Sequence, residues 1–296
     1  MKQEIIFITE AAYICVRQGQ LVVHNKIDFN ELLFFFEDIA LLVLENPKIN
    51  ITLKAIQHLN RNNIPVICSD ENLFPSSMLM NLHGNQVQNE LLRQQLNASL
   101  PLREQLWQQT MDSRNNNQLE MLYSTGKSGL NKHNGFSFDN ALNDNEFSYQ
   151  SYISTLFGTE FQPSGLHSLT RSHLDYGYGI LKAAVTNSLV GVGLLPTIGL
   201  QGQNSDEVYG LSANVMEPYK PFIDEVVYRF YVSGDIEAGL NQENKVQLLD
   251  VLNKEVIVGD KKETLVSALS RTTSSLVDCY RGNGQRIIYP KFAQAG

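Results

Sequence analysis

Histidine is scarce in this sequence, with six residues in 296 and none beyond His173. Imidazole chemistry is therefore excluded from everything C-terminal to that point. Cysteine is scarcer still. Cys15, Cys68 and Cys279 lie far apart and match no C-x-x-C metal or redox spacing, so they are expected to be reduced, with Cys15 and Cys68 packed in strands. Long apolar runs are missing too. The nearest, Ile180 to Leu200, is interrupted by Lys182, Thr186, Asn187 and Pro196 and lacks the roughly 18 continuous residues of a membrane span. It reads as a buried helix. In MKQEIIFITE, Glu4 and Glu10 interrupt any signal-peptide core, so the expected location is cytoplasmic, with no membrane partner. Positive charge is also in deficit, with 23 Lys and Arg against 31 Asp and Glu and a formal net charge of −8. That balance disfavours a nucleic-acid binder acting alone, leaves room for a local basic face, and suggests help from a partner.

The first part of the chain has the period and residue types of strands. Ile5 to Thr9, Ala12 to Arg17 and Gln20 to His24 are short β-rich runs, the last two joined by a Gln18-Gly19 turn. Leu32 to Phe36 and Ile39 to Leu44 follow, then a helix over Asn50 to Asn60 with Asn50 as its cap, then a buried strand at Ile64 to Cys68. From Gln86 onward the pattern is helical: Gln86 to Leu96, Leu102 to Tyr123, and Glu146 to Phe157 ending at Gly158. Leu174, Tyr178, Leu181, Val185, Leu189 and Val192 form one apolar stripe, stopped by Pro196. Helices are also expected over Pro218 to Val232, Gln242 to Leu252 and Lys261 to Asp278, and Ser124 to Asn143 reads as a polar loop. The expected fold is α+β: a β-rich, sandwich-like domain at 1–80, a linker at 81–90, a larger all-α domain at 91–292 and a tail at 293–296.

Several segments, in this order and spacing, carry a resemblance: ICSDENLFPSSMLMNLHGNQVQNELLRQQLN (67–97), the YxxxLFG of Tyr152 to Gly158, LDYGYGILKAAV (174–185), GLLPTIGL (193–200) and NVMEPYKPFID (214–224). The chain resembles the CRISPR spacer-acquisition integrase, the first of the numbered CRISPR-associated proteins, in the subgroup found with a single large effector nuclease. The resemblance covers most of the chain. It implies a homodimer, a small second CRISPR-associated adaptation protein as partner, and double-stranded DNA as substrate. It further implies joining of DNA 3′ ends to the CRISPR array at a Mg²⁺ or Mn²⁺ ion held by a glutamate, a histidine and a second acidic residue.

Residue by residue, only Glu217 of the MEP segment matches that ligand set. The family glutamate falls on Asn145, with Glu146 one position out of register, about 100° away around a helix. The family histidine falls near Gly202. Glu217 also has a structural reading, as the third residue of a capping box begun by Asn214, and Asn145 one as the N-cap of the following helix. Asp206, Glu207 and Asp224 are the possible substitute ligands. His167, His173 and His83 read as surface, core or junction residues. The glycines at 191, 193, 199 and 202 are read as packing positions, not a phosphate loop. Candidate DNA contacts are Arg171, Lys182, Lys220 and Arg229, with Arg281, Arg286 and Lys291 behind them, and Lys220 and Arg229 are placed on one helix face.

The leading expectation is a catalytically degenerate member of the family, a structural or DNA-positioning subunit that needs no cofactor and works beside a catalytically complete paralogue. One alternative is an active Mg²⁺- or Mn²⁺-dependent endonuclease or integrase using displaced carboxylates. The other is a protein-interaction scaffold that does not bind DNA.

Overall fold

The computed structural model describes residues 4–70, 75–79, 88–127, 149–158, 166–200 and 209–292. The N-terminal region, up to Leu79, is built on two four-stranded sheets. Strands β1 (Glu4–Ile8), β5 (Ile39–Leu44) and β7 (Val66–Ser69) run parallel, and β8 (Pro75–Leu79) closes that sheet antiparallel to β7. The second sheet is ordered β4 (Glu31–Phe35), β3 (Gln20–Asn25), β2 (Ala12–Arg17), β6 (Asn50–Ile51). Its β2–β3 hairpin turns at Gln18 and Gly19, both at positive φ (52° and 80°), the geometry that matches strand twist across a two-residue loop. Helix α1 (Leu53–Arg61) is capped not by Asn50, which lies in β6, but by Thr52, whose side chain accepts from Ala55 N.

Alternation of side chains buries the first sheet on both faces. Leu42, Leu44 and Val66 point into the sandwich with Ile14, Leu21, Val23 and Leu59 of the second sheet and α1. Leu41, Val43 and Ile67 point the other way, into the helical core.

That core is built by α2 (Gln88–Leu96), α3 (Leu100–Ser124), α4 (Tyr149–Phe157), α5 (Leu166–Gly191), α6 (Gly210–Met216), α7 (Lys220–Ser233), α8 (Gln242–Asp250) and α9 (Leu265–Arg281). Helix α2 begins inside the stretch expected as a linker, most of which lies outside the described residues. Helix α5 runs through the centre, and α7 crosses it so closely that a Cβ on Gly177 would lie 2.5 Å from Ile223 Cγ2. The α+β order holds. The helical half also contains an antiparallel ribbon, β9 (Glu255–Val258) and β10 (Lys261–Thr264), turning at Gly259. The segment after α9 returns along α3, where Asn117 donates to Pro290 O and accepts from Phe292 N. No helix among the described residues is long and apolar enough to cross a membrane.

Candidate functional site

Pro218, with no N–H to extend α6, turns the chain through a short 3-10 segment, Glu217–Tyr219, into α7. The turn is pinned from two sides: Asn117 Nδ2 donates to Pro218 O at 2.7 Å, and the Tyr219 hydroxyl lies 2.6 Å from Thr272 Oγ1. Glu217 is thereby held facing α3 and the first turn of α7. Lys220 Nζ donates to its Oε1 at 2.5 Å, and Arg114 Nη1 from α3 stands 3.9 Å from its Oε2. Both carboxylate oxygens therefore face a cation. The side chains of Arg114 and Glu217 are only 12% and 18% exposed. Burial pulls the Arg114 pKa below its ordinary value and Glu217 opposes that shift, yet a guanidinium remains charged under any working condition. The capping-box reading fails here. Asn214 lies inside α6 and its Oδ1 accepts from Leu200 N at 2.8 Å, which ties down the stem of the loop after α5.

Beneath this pair lies Asp224, fully buried. The hydroxyl of Tyr178 donates to its Oδ1 at 2.5 Å and that of Tyr152 to its Oδ2 at 3.0 Å. Burial raises its pKa to about 7, against the two tyrosine hydrogen bonds and the Lys220 charge, which pull it down. Tyr149 continues the network, its hydroxyl 3.3 Å from that of Tyr178. Lys220 sits over both the Tyr149 and Tyr178 rings, at 5.6 and 5.5 Å from their centroids. Asp224, a possible substitute ligand, is thus committed to two hydroxyls and has no open side. His173, the last imidazole in the chain, is equally committed: Nδ1 is 2.7 Å from Leu169 O and Nε2 is 3.0 Å from Asn244 Nδ2, in the core.

Asn145, Glu146, Gly202, Asp206, Glu207 and His83 lie outside the described residues, as does the side chain of His167. Among the described residues no three His, Cys, Asp or Glu side chains cluster so as to hold a metal ion. Among the described residues the carboxylate of Glu217 is balanced by Lys220 and Arg114.

The basic candidates separate into two groups. Arg171 and Lys182 are eleven residues apart on α5 and, at about 100° per residue, return to one face, the face that carries Tyr178. Lys220 lies over that same tyrosine, and Lys182 over Tyr209 at 5.5 Å. Arg171, Lys182 and Lys220 therefore line one ridge, with Arg171 3.9 Å from Asp175. Arg229 does not join them. Nine residues after Lys220 on the same helix, it projects on the opposite side and is exposed. Arg286 and Lys291 line a different feature, a polar groove of about 1280 Å³ beside α3.

The residues missed in the sequence are Arg114, Tyr149, Tyr152 and Tyr178 as one polar assembly. Tyr178 was legible only as a member of an apolar stripe, and Arg114 sits in a helix with no local signal linking it to Glu217, more than a hundred residues away.

The family model described as "CRISPR associated protein Cas1" matches residues 5–160 and 171–259. A curated relative, the CRISPR-associated endonuclease Cas1 of Neisseria meningitidis serogroup C (strain 8013), is 26% identical over 244 residues, 81% of this chain and 80% of that protein. Among solved structures, a casposase bound to its integration product is similar with a TM-score of 0.73 at 16% identity, over 97% of this chain and 92% of that one. A Cas6-RT-Cas1–Cas2 complex is similar with a TM-score of 0.69 at 17% identity, over 99% of this chain but 36% of that larger one.

Proposed function

Because the chain belongs to the Cas1 family of CRISPR-associated proteins, we propose that it acts in spacer acquisition as a structural and DNA-positioning subunit whose own strand-transfer site is degenerate. The observation that carries this reading is the pairing of Glu217 with Lys220 and Arg114, two fixed cations at the carboxylate that family resemblance assigns to a metal. Loss of the other two family ligands in the sequence, at Asn145 and near Gly202, points the same way. On this reading the subunit needs neither Mg²⁺ nor Mn²⁺. The ridge of Arg171, Lys182 and Lys220 follows a DNA backbone, and a catalytically complete paralogue supplies the chemistry.

The relatives suggest the partners: one is a complex of Cas1 with Cas2, another a casposase on DNA. A homodimer has a suitable surface in β4, an edge strand that exposes Leu32, Leu33 and Phe35 next to Ile27 and Phe29. Apolar side chains along an unpaired edge favour association.

The test is strand transfer by the purified protein, using a duplex with free 3′ ends and a CRISPR-array target in Mg²⁺ or Mn²⁺. Duplex binding without joining is expected. Metal-dependent integration that Glu217→Ala abolishes would overturn the reading.

A further inference from the structure

On the outward face of the second sheet, β2, β3 and β4 bring Cys15, His24 and Glu31 together. His24 is the ladder partner of Glu31 on one side and of Tyr13 on the other, and Cys15 lies diagonal to it, one pleat along β2. Cys15 Sγ is 3.6 Å from His24 Nε2, and His24 Nδ1 is 3.0 Å from Glu31 Oε1. Arg17 donates to both oxygens of Glu31, through Nη2 to Oε2 and through Nη1 to Oε1 at 3.4 Å. By accepting from Nδ1–H, the carboxylate fixes the tautomer whose Nε2 lone pair faces the thiol. Nucleophile, base and orienting carboxylate are thus connected in series.

The cluster is open to solvent. The side chains of His24, Glu31 and Arg17 are 32%, 36% and 50% exposed, Cys15 is partly exposed, and the Tyr13 ring flanks the imidazole at 5.9 Å. The two other thiols have no such setting. Burial pushes the Cys68 thiol up, and burial with the Asp278 charge pushes Cys279, in the core, up to about 11.

We propose that Cys15 is a reactive thiol at a modification site, activated by His24 and taking small disulfides as its reaction partners. The Sγ proton passes to His24 Nε2 and the thiolate attacks one sulfur of the disulfide. A new S–S bond to Cys15 forms as the old one breaks. The departing thiolate then takes the proton from His24 and leaves as a thiol. The disulfide is the oxidant: Cys15 is oxidised to a mixed disulfide while the released half is reduced.

The experiment follows release of the coloured thiolate when the folded full-length chain meets dithiobis(nitrobenzoate), an aromatic disulfide whose leaving group stays ionised, so that His24 passes its proton to solvent. One thiol per chain is expected to react in a fast phase that Cys15→Ser removes. His24→Gln should slow that phase by about tenfold or more near neutral pH, with the gap narrowing in alkaline buffer, where thiols ionise without a base. Circular dichroism checks each variant. Should His24→Gln fail to fold, Glu31→Gln reports instead, with slowing expected from loss of the orienting carboxylate. A fast phase that persists in Cys15→Ser overturns the proposal, as does a wild-type rate in the folded histidine or glutamate variant.

Discussion

Lys245 on α8 reaches both carboxylate oxygens of Glu45, at the end of β5, at 3.3 Å, across 200 residues of sequence. Both side chains are only 3% exposed, the Tyr176 hydroxyl donates to Glu45 Oε1 at 3.1 Å, and Lys245 lies 5.4 Å from the centre of that tyrosine's ring. Burial pushes the Glu45 carboxyl up, while Lys245 and Tyr176 pull it down. The pair therefore joins the sheets to the helices at a point where an unpaired charge is costly. Lys245→Met or Glu45→Leu alone is expected to lose about 3–5 kcal/mol, whereas the double apolar variant recovers most of that loss. Urea unfolding of the three variants checks it, with the double-mutant cycle giving the coupling.

Asp224 gives a pH dependence whose sign is fixed by burial. Its folded pKa of about 7 lies above the ordinary 3.8, so the folded chain keeps a proton there that the unfolded chain has lost. Its contribution is fully present below pH 3.8 and declines as pH rises through 7. Asp224→Asn cannot ionise, and its stability relative to wild type should improve between pH 5 and pH 8, by on the order of 3 kcal/mol at most. Denaturant titrations of both proteins at the two pH values measure this.

If the ridge along α5 follows DNA, charges on it and off it must behave differently. Arg171→Ala and Lys182→Ala are each expected to weaken duplex binding across sequences and to lower the salt slope by about one. Arg229→Ala, on the far side of α7, should leave both unchanged. Duplex affinity measured over a series of salt concentrations separates these outcomes.

Gly177 permits the approach of α5 to α7. A methyl group there would meet Ile223 Cγ2 at 2.5 Å in a fully packed core. Gly177→Ala should destabilise by about 1–3 kcal/mol, even though alanine favours a helix by about 1 kcal/mol. Ile223→Ala removes the clashing atom, so the double variant should lose less than the sum of the single ones in thermal unfolding.

The fold was legible where its causes are local. Short runs of β-favouring residues marked β2 and β3, the Gln18-Gly19 pair marked their turn, and the stripe from Leu174 to Val192 marked α5. What was misread had competing local signals or distant partners. The helix expected over Lys261 to Asp278 takes in all of β10, and EVIV before the turn at Gly259 falls between two expected helices, so the β9–β10 ribbon is missing from the sequence reading. Asn50 and Thr52 both suit a cap, and only the pairing of Asn50 with β2 decides between them. Asn214 has a good capping position by sequence, but Leu200 claims its oxygen. The site was half legible: Glu217 stood out by its motif, whereas its two cations and the tyrosines around Asp224 converge only through the packing of α3, α4, α5 and α7. Lys220 and Arg229 were grouped by proximity in sequence, although two and a half turns leave them on opposite sides.

Leu41, Val43 and Ile67 belong to the helical core although they are carried by strands. The β half is thus a wall of the helical interior and not a removable module. A cut near residue 80 would bare Leu41, Val43 and Ile67 on one fragment and open the interior of the other, although the filling between the two sheets would stay whole. Rearrangement, splitting or grafting of this gene must then carry both halves together, and new functions are more readily added at its ends than at its waist.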